Sequence, residues 1–386
     1  MSDSSEQVAE LTTREKIKTT QTWVVKVGTR VLTRPDGRLN EEKIANLAWQ
    51  IHEVMKTGRR VVLVSSGAVG AGMGQLGLTQ RPTDVAHLQA VAAVGQAFLV
   101  QSYDQTFRHY DLHAAQILLT REDLEHRGRY LNVRNALLAL FDLNAVPIVN
   151  ENDSVSVEEL QLTFGDNDRL AALVASLFRN CLLVILSDVE GLYDRDPRDP
   201  EAQAITEVPT ITPATWDLVR DRFTGLSKGG MASKLKAAEL ATKVGEQVII
   251  ASGRKDDSLI RILAGEPVGT FFGPQPQMVT ARKRWIAFSA PPRGKLMLDD
   301  GACQAVIQRG KSLLAIGIMS IEGNFKKGDV VSLLDRRGEE IARGLSNYEA
   351  SELRLIRGLN SDQIESTLGH CPYIETIHRD HLVVLR

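Results

Sequence analysis

A chain of 386 residues exceeds the usual size of one domain and suits two. Its hydrophobic fraction of 43% and charged fraction of 24% exclude a disordered or fibrous protein and fit an ordinary soluble globular one. A net charge of −2, with 30 Lys+Arg against 35 Asp+Glu over residues 1–280 and 16 against 13 beyond, excludes whole-molecule attraction to nucleic acid or anionic membrane.

Residues 1–20 are polar and charged without an apolar centre, so they are read as a flexible tail and not as a signal peptide. From Gln21 onward, short apolar runs alternate with helical patterns. Trp23–Val27, Arg60–Ser65, Ala145–Asn150, Leu182–Ser187 and Gln247–Ser252 predict strands. Glu41–Lys56, Asp84–Phe107, Gly128–Leu143, Asp168–Phe178 and Ala232–Val244 predict the helices between them. The strands are continuous apolar runs rather than alternating ones, as in a parallel sheet covered on both faces. Residues 21–275 are therefore read as an α/β domain, a three-layer α/β/α sandwich around a mainly parallel central sheet. Pro274-Gln275-Pro276-Gln277 opens a linker over residues 276–290. Residues 291–386 are read as a small, mainly β, barrel-like domain. Ser312–Ser320, Asp329–Asp335 and Glu340–Ser346 are its predicted strands, and Glu322-Gly323-Asn324 and Arg336-Arg337-Gly338 its turns.

Cys181, Cys303 and Cys371 are odd in number and far apart. They suit neither a disulfide framework nor a zinc site, and fit a reducing compartment. No apolar run approaches a membrane span, so a cytoplasmic protein is expected.

Three glycine-bearing loops stand out. Gly28-Thr29 follows the first strand run, Ser65-Ser66-Gly67-Ala68 follows the second, and Ser227-Lys228-Gly229-Gly230-Met231-Ala232-Ser233-Lys234 opens a helix. Glycines let backbone N–H groups approach a ligand, and helix N-termini add positive potential. Together with Lys26 and Lys234 they read as a phosphate-handling surface. Lys26 lies at the end of a buried strand, where an unpaired amine is costly; the alternative is a lysine that snorkels to the edge. Lys234 stands near a helix N-terminus against the dipole, which an anionic ligand explains better than a plain surface lysine.

Two acidic clusters accompany these loops: Asn150-Glu151-Asn152-Asp153 after a strand, and Gly165-Asp166-Asn167-Asp168 opening a helix. Ligands of an open parallel sheet bind beyond the carboxyl ends of its strands, so both clusters are expected to face the glycine loops. The plainer reading makes them caps and turns. Ser187-Asp188 leaves another strand run, where a nucleotide or a generic loop fits equally. Gly72-Met73-Gly74-Gln75-Leu76-Gly77 matches a dinucleotide fingerprint, but it starts well after its strand and lacks the ribose-binding acid. His378-Arg379-Asp380 stands near the chain end with no downstream partners and is a chance match.

Taken together, these residues resemble the amino-acid kinase superfamily, and within it the glutamate 5-kinase family. The resemblance runs through Val24-Val25-Lys26-Val27-Gly28-Thr29, Ser65-Ser66-Gly67-Ala68, the two acidic clusters, Gly191-Leu192-Tyr193 with Asp196-Pro197-Arg198, and Gly229-Gly230-Met231 with Lys234. Residues from about Arg293 to Gly369 look like the PUA domain that bacterial members append. The resemblance implies ATP-dependent phosphorylation of the γ-carboxylate of L-glutamate to L-glutamyl 5-phosphate, the first step of proline biosynthesis. It implies that Lys26 and Lys234 stabilise the transferring phosphoryl group and that Asp168 orients them. It further implies that Ser66, Gly67, Asp153, Asp166 and Asn167 hold glutamate. Lys26, Ser187, Asp188 and Lys228 to Lys234 (Gly229, Gly230, Met231, Ala232 and Ser233 between) would hold ATP. Mg²⁺ as cofactor, feedback inhibition by proline and a homo-oligomer, dimer or tetramer, are implied as well, with no metal ligands identified. Arg30 and Lys228 stand where the family usually carries a small hydroxyl residue and a threonine. A sibling kinase acting on acetylglutamate or aspartate is the first alternative. An RNA-binding protein is the second, disfavoured by the small charge excess of the C-terminal part and an aromatic content of 5%.

Overall fold

The computed structural model describes residues 14–34, 37–155, 166–219, 229–275 and 281–385. The chain divides into two units, Met1–Asp123 with Leu131–Gln277, and Leu124–Tyr130 with Met278–Arg386.

The first unit is built on an eight-stranded sheet: β1 (Thr22–Val27), β2 (Arg60–Ser65), β3 (His113–Leu119), β4 (Ala145–Glu151), β5 (Cys181–Ser187), β6 (Glu207–Val208), β7 (Gln247–Ser252) and β8 (Thr270–Phe272). Its order is β3-β4-β2-β1-β5-β7-β8-β6. Every pairing is parallel except that of β7 with β8. Helices α1 (Thr29–Leu32), α2 (Glu41–Lys56), α3 (Ala68–Gln75), α4 (Val85–Phe107), α5 (Arg127–Asp142), α6 (Asp166–Ala175), α7 (Gly229–Lys243) and α8 (Ser258–Ala264) accompany the strands. Local chemistry sets several of their starts. The Asn40 side chain accepts the N–H of Lys43 ahead of α2, and Asp84 accepts that of His87 ahead of α4.

β1, β4, β5 and β7 are buried along their whole length, which is why they read as unbroken Val/Ile/Leu runs. Trp23, Val25 and Val27 of β1 join one core cluster with Ile44, Leu47 and Ile51 of α2, Leu99 and Tyr103 of α4, and Leu259 and Ile262 of α8. Strand side chains alternate, so Val24 and Lys26 point to the other face, where α6 packs on β1 and β5 and α7 packs on β7 and α6. The three layers are thus present, and Lys26 belongs to the α6/α7 side.

The five predicted strands and five predicted helices of this unit all form. The sequence reading missed β3, β6 and β8. Ala-Ala-Gln breaks the apolar run of β3, an edge strand that is only half covered. One glycine of the spurious dinucleotide fingerprint, Gly72, serves helix packing, together with Gly95 of α4. A Cβ at Gly72 would stand 1.9 Å from the Val91 carbonyl oxygen, and one at Gly95 1.8 Å from that of Ala68, so α3 and α4 touch backbone to backbone. Residues 14–20 also depart from the flexible tail expected of them: Glu15–Thr19 form a 3₁₀ turn that buries Ile17.

The second unit holds a five-stranded sheet, β9 (Gly294–Leu298), β10 (Ile318–Gly323), β11 (Val330–Leu334), β12 (Glu340–Leu345) and β13 (Leu382–Val384), in the order β10-β9-β11-β12-β13. Helices α9 (Asp300–Ile307) and α10 (Ala350–Ile356) pack with it, burying Leu296, Val331, Leu333, Ile341, Leu353 and Ile356 in one cluster. Ser312–Ser320 is not one strand. Leu313 makes an isolated bridge to Ile377, Ala315–Gly317 form a 3₁₀ turn, and the strand starts only at Ile318. The cause is the close approach of α9: a Cβ at Gly317 would lie 2.4 Å from that of Ala302. Residues 281–289, placed in a linker by composition, are helical and bury Trp285 and Ile286. The His378-Arg379-Asp380 triplet belongs to a 3₁₀ turn capped by His378.

Candidate active site

Register places the relevant loops at one edge. Val27 pairs with both Ser65 and Leu186, and Ser187 pairs with Ser252. Gly28, Ser66 and Asp188 therefore leave the sheet side by side at its carboxyl edge, and Asn152-Asp153 leave it at the end of β4. This is the edge where open parallel sheets bind ligands.

Lys26 is 6% exposed and does not snorkel. Its Nζ lies 2.7 Å from Asp168 Oδ1. Asp168, 1% exposed, sits in the first turn of α6, where the helix dipole favours a carboxylate. The amine of Lys234 on α7 lies 3.5 Å from the other oxygen, Oδ2, and donates to the Gly230 carbonyl at 3.1 Å. The Ser233 hydroxyl donates to Asp168 Oδ2 at 3.0 Å. One carboxylate thus holds two amines, one buried with it and one half-buried. Burial pushes the Lys26 amine below its ordinary value; Asp168 opposes this and Lys234 reinforces it. An anion placed against both amines would relieve that strain.

Both amines lie over glycine faces. A Cβ at Gly28 would stand 3.8 Å from Lys26 Nζ, and one at Gly230 3.6 Å from Lys234 Nζ. Gly230, Met231 and Ala232 form the first turn of α7, whose N-terminal N–H groups lack helical acceptors. Lys228 and the side chain of Asp166 lie outside the described residues.

A second set of polar groups joins the ends of β2 and β4 to α6. Asn167 Nδ2 is 3.1 Å from Ser66 Oγ, 3.2 Å from Asn150 Oδ1 and 3.4 Å from the Ser65 carbonyl oxygen. Its Oδ1 is buried and accepts no hydrogen bond among the described residues. Gly67 has φ +103°, a left-handed conformation that lets α3 start directly after Ser66. Asp153 is driven to about 6, first by burial and then by the Glu151 carboxylate, against the pull of Arg81.

On the β5 side, Asp188 accepts from the Ser187 hydroxyl at 3.1 Å and from Arg30 Nη1 at 3.0 Å. Burial raises its pKa, but Arg30, Ser187 and a backbone N–H outweigh that and leave it below the usual carboxylate range. Arg30 thereby spans the loops after β1 and β5. The fold therefore joins Lys26, Asp168, Ser233 and Lys234 in one group, Ser66 and Asn167 in a second, and Ser187 and Asp188 in a third, with Asp153 at the end of β4. Sequence reasoning gave no role to Asn150, although a polar residue ending an apolar run was the available signal.

An amino acid kinase family model matches residues 21–252, and a PUA domain model matches residues 294–368. A glutamate 5-kinase of Rhodopirellula baltica is 50% identical over 100% of this chain and 99% of that protein. One from a Cyanothece species is 50% identical over 95% of this chain and 100% of that protein, and one from Nitrosococcus oceani 48% identical over 96% and 99%. Matches of this identity and coverage over such a site show that the chain belongs to the amino acid kinase family, in its glutamate 5-kinase group.

Proposed function

We propose that the chain transfers the γ-phosphoryl group of ATP to the γ-carboxylate of L-glutamate, giving L-glutamyl 5-phosphate, the first step of proline biosynthesis. The observation that carries this reading is the pair of amines, buried Lys26 and half-buried Lys234, on the two oxygens of Asp168. Full-length identity to glutamate 5-kinases supports the choice of substrate.

The chemistry needs no general base. A glutamate side chain has a pKa near 4.3 and is ionised at neutral pH. A carboxylate oxygen forms a bond to the γ-phosphorus, the bond from that phosphorus to the β,γ-bridging oxygen breaks, and the electron pair leaves with ADP. The barrier is mostly repulsion between anions and the cost of positioning them. Lys26 and Lys234 offset the charge, and Asp168, fixed by Ser233, keeps both amines in place. The space over Gly28 and Gly230 fits a terminal phosphate, since no side chain intervenes before either amine. Ser187, Asp188 and the start of α7 would hold the rest of the nucleotide. Mg²⁺ bound with the nucleotide would be held chiefly through phosphate oxygens and water and would offset further phosphate charge.

For glutamate, Ser66 and the backbone at Gly67 would receive carboxylate oxygens. Asp153 would pair with the ammonium, and the open Asn167 Oδ1 would accept from it. Feedback by proline and a dimer or tetramer rest on the family resemblance; initial rates titrated with proline and light scattering test them.

A coupled ADP-release assay with L-glutamate, N-acetylglutamate and aspartate, with hydroxylamine trapping of the acyl phosphate, tests the function. Glutamate-dependent ADP release with hydroxamate formation is expected. Turnover confined to another acceptor would overturn the reading.

A further inference from the structure

Helix α4 carries two buried polar side chains, Gln96 and Tyr103, that the chemistry described so far leaves unused. They stand seven residues apart, two helical turns, so both leave α4 on the same face. Their buried neighbours on the helix include Ala92, Gly95 and Leu99. A polar group in such company is costly unless it is bonded. Both are bonded, and each reaches the backbone of a loop assigned above to glutamate.

Tyr103 serves the loop after β2. Its hydroxyl lies 3.1 Å from Ser65 Oγ, and Ser65 Oγ lies 3.2 Å from the Ser66 carbonyl oxygen. That carbonyl can only accept, so the single Ser65 proton is spent on it. The Tyr103 hydroxyl must then donate to Ser65. Burial pushes the Tyr103 phenol above its ordinary value, which keeps that proton in place. The Ser66 carbonyl belongs to the peptide whose N–H is that of Gly67, the group offered above to a substrate carboxylate. The C=O and N–H of one trans peptide point in opposite directions, so holding the first aims the second. A hydrogen bond to the carbonyl also polarises the N–H.

Gln96 serves the loop after β4. Its Nε2 lies 3.4 Å from the Glu151 carbonyl oxygen. The N–H of the same peptide, that of Asn152, donates to the Leu119 carbonyl at 2.9 Å. The peptide ahead of Asp153 is thus held at both ends. α4 is itself fixed on α3 by the backbone contacts at Gly72 and Gly95.

We infer that Gln96 and Tyr103 are positioning residues for the amino-acid substrate. From one face of α4 they set the direction of the Ser66–Gly67 peptide and of the Asn152-Asp153 loop without touching the substrate. The inference rests on the glutamate reading of those two loops.

Steady-state kinetics on the full-length protein, with thermal melts, test it. Tyr103→Phe keeps the ring and removes the hydroxyl. It should raise the KM for glutamate by roughly three- to tenfold and leave kcat and the KM for ATP within about twofold. Gln96→Met, which loses a longer bond, should raise the glutamate KM by about two- to fivefold. Ser65→Ala should raise it too, and adding Tyr103→Phe to Ser65→Ala should change little further, since the phenol acts through that hydroxyl. A merely structural role would lower the melting temperature and move both KM values together, and that result overturns the proposal. Additive effects of Tyr103→Phe and Ser65→Ala overturn it as well, and an unmoved glutamate KM in either single variant removes that residue. In each of these cases the unmodified protein still turns over glutamate. An unmodified protein that used only another acceptor would instead overturn the function proposed above, and this inference with it.

Discussion

Asp153→Asn should make the protein more stable and a poorer glutamate binder at once. The Asp153 carboxyl sits near 6 in the folded chain and near 3.9 when unfolded. The folded state therefore holds this proton more tightly than the unfolded state does. Its ionised form costs stability above about pH 6, and that cost falls away as the pH drops toward 3.9. At about 1.4 kcal/mol per pH unit the full cost at pH 7.5 is roughly 3 kcal/mol, and about 1–2 kcal/mol once side-chain relaxation and water entry are allowed for. Removing the charge should raise the melting temperature by roughly 3–6 °C at pH 7.5 and by about half as much at pH 5. In the same variant the KM for glutamate should rise about tenfold or more, because the ammonium loses its partner. In the unmodified protein that KM should climb as the pH falls through 6. Thermal melts across pH 5–8 and ADP-release kinetics at each pH read both effects. A melting temperature that is lowered or unmoved at pH 7.5 would refute the electrostatic reasoning, and an unmoved KM would refute the ammonium assignment.

Lys26→Ala and Lys234→Ala should each lower kcat by roughly 10²-fold or more, as for loss of one charge-stabilising donor; near-normal turnover in stopped assays removes that amine from the chemistry. Lys26→Ala should also destabilise the fold, since it takes the nearest cation from a buried carboxylate, whereas Lys234, farther from Asp168, should matter less to the melting temperature. Asn167→Ala should raise the KM for glutamate while leaving that for ATP within about twofold, read from paired titrations; equal changes in both would move Asn167 out of the glutamate site. Gly95→Ala should cost about 2–3 kcal/mol or more in chemical denaturation, because its Cβ would meet the Ala68 carbonyl oxygen at 1.8 Å; a wild-type midpoint would mean that α3 and α4 are not in backbone contact.

Much of the architecture was legible because burial leaves a mark on composition. β1, β4, β5 and β7 are covered on both faces, so nearly every position is aliphatic and the runs declare themselves. Edge elements leave no such mark. β3 carries Gln116 within a half-covered strand, and the two-residue β6 is too short for any period to show. In the second unit the Ser312–Ser320 run was apolar enough to be a strand, yet the approach of α9 on Gly317 turns it into a bend. The stretch after Pro276 looked like a linker by composition, although Trp285 and Ile286 are core residues.

Sequence alone determined which chemical groups are available: lysines and glycines suited to phosphate, Asn and Asp clusters suited to an amino acid, and no central histidine for a reaction that needs no base. It also determined the strand ends from which they emerge. Only the tertiary structure decided their partners. Lys26 and Asp168 are 142 positions apart, yet the pleat turns Lys26 toward the first turn of α6 and brings the two within 2.7 Å. Asn150 became the acceptor for Asn167, and Arg30 was matched with Asp188. Spacing along a chain fixes which face a side chain takes, whereas distance across a parallel sheet depends on strand order, and order is set by how the whole core closes.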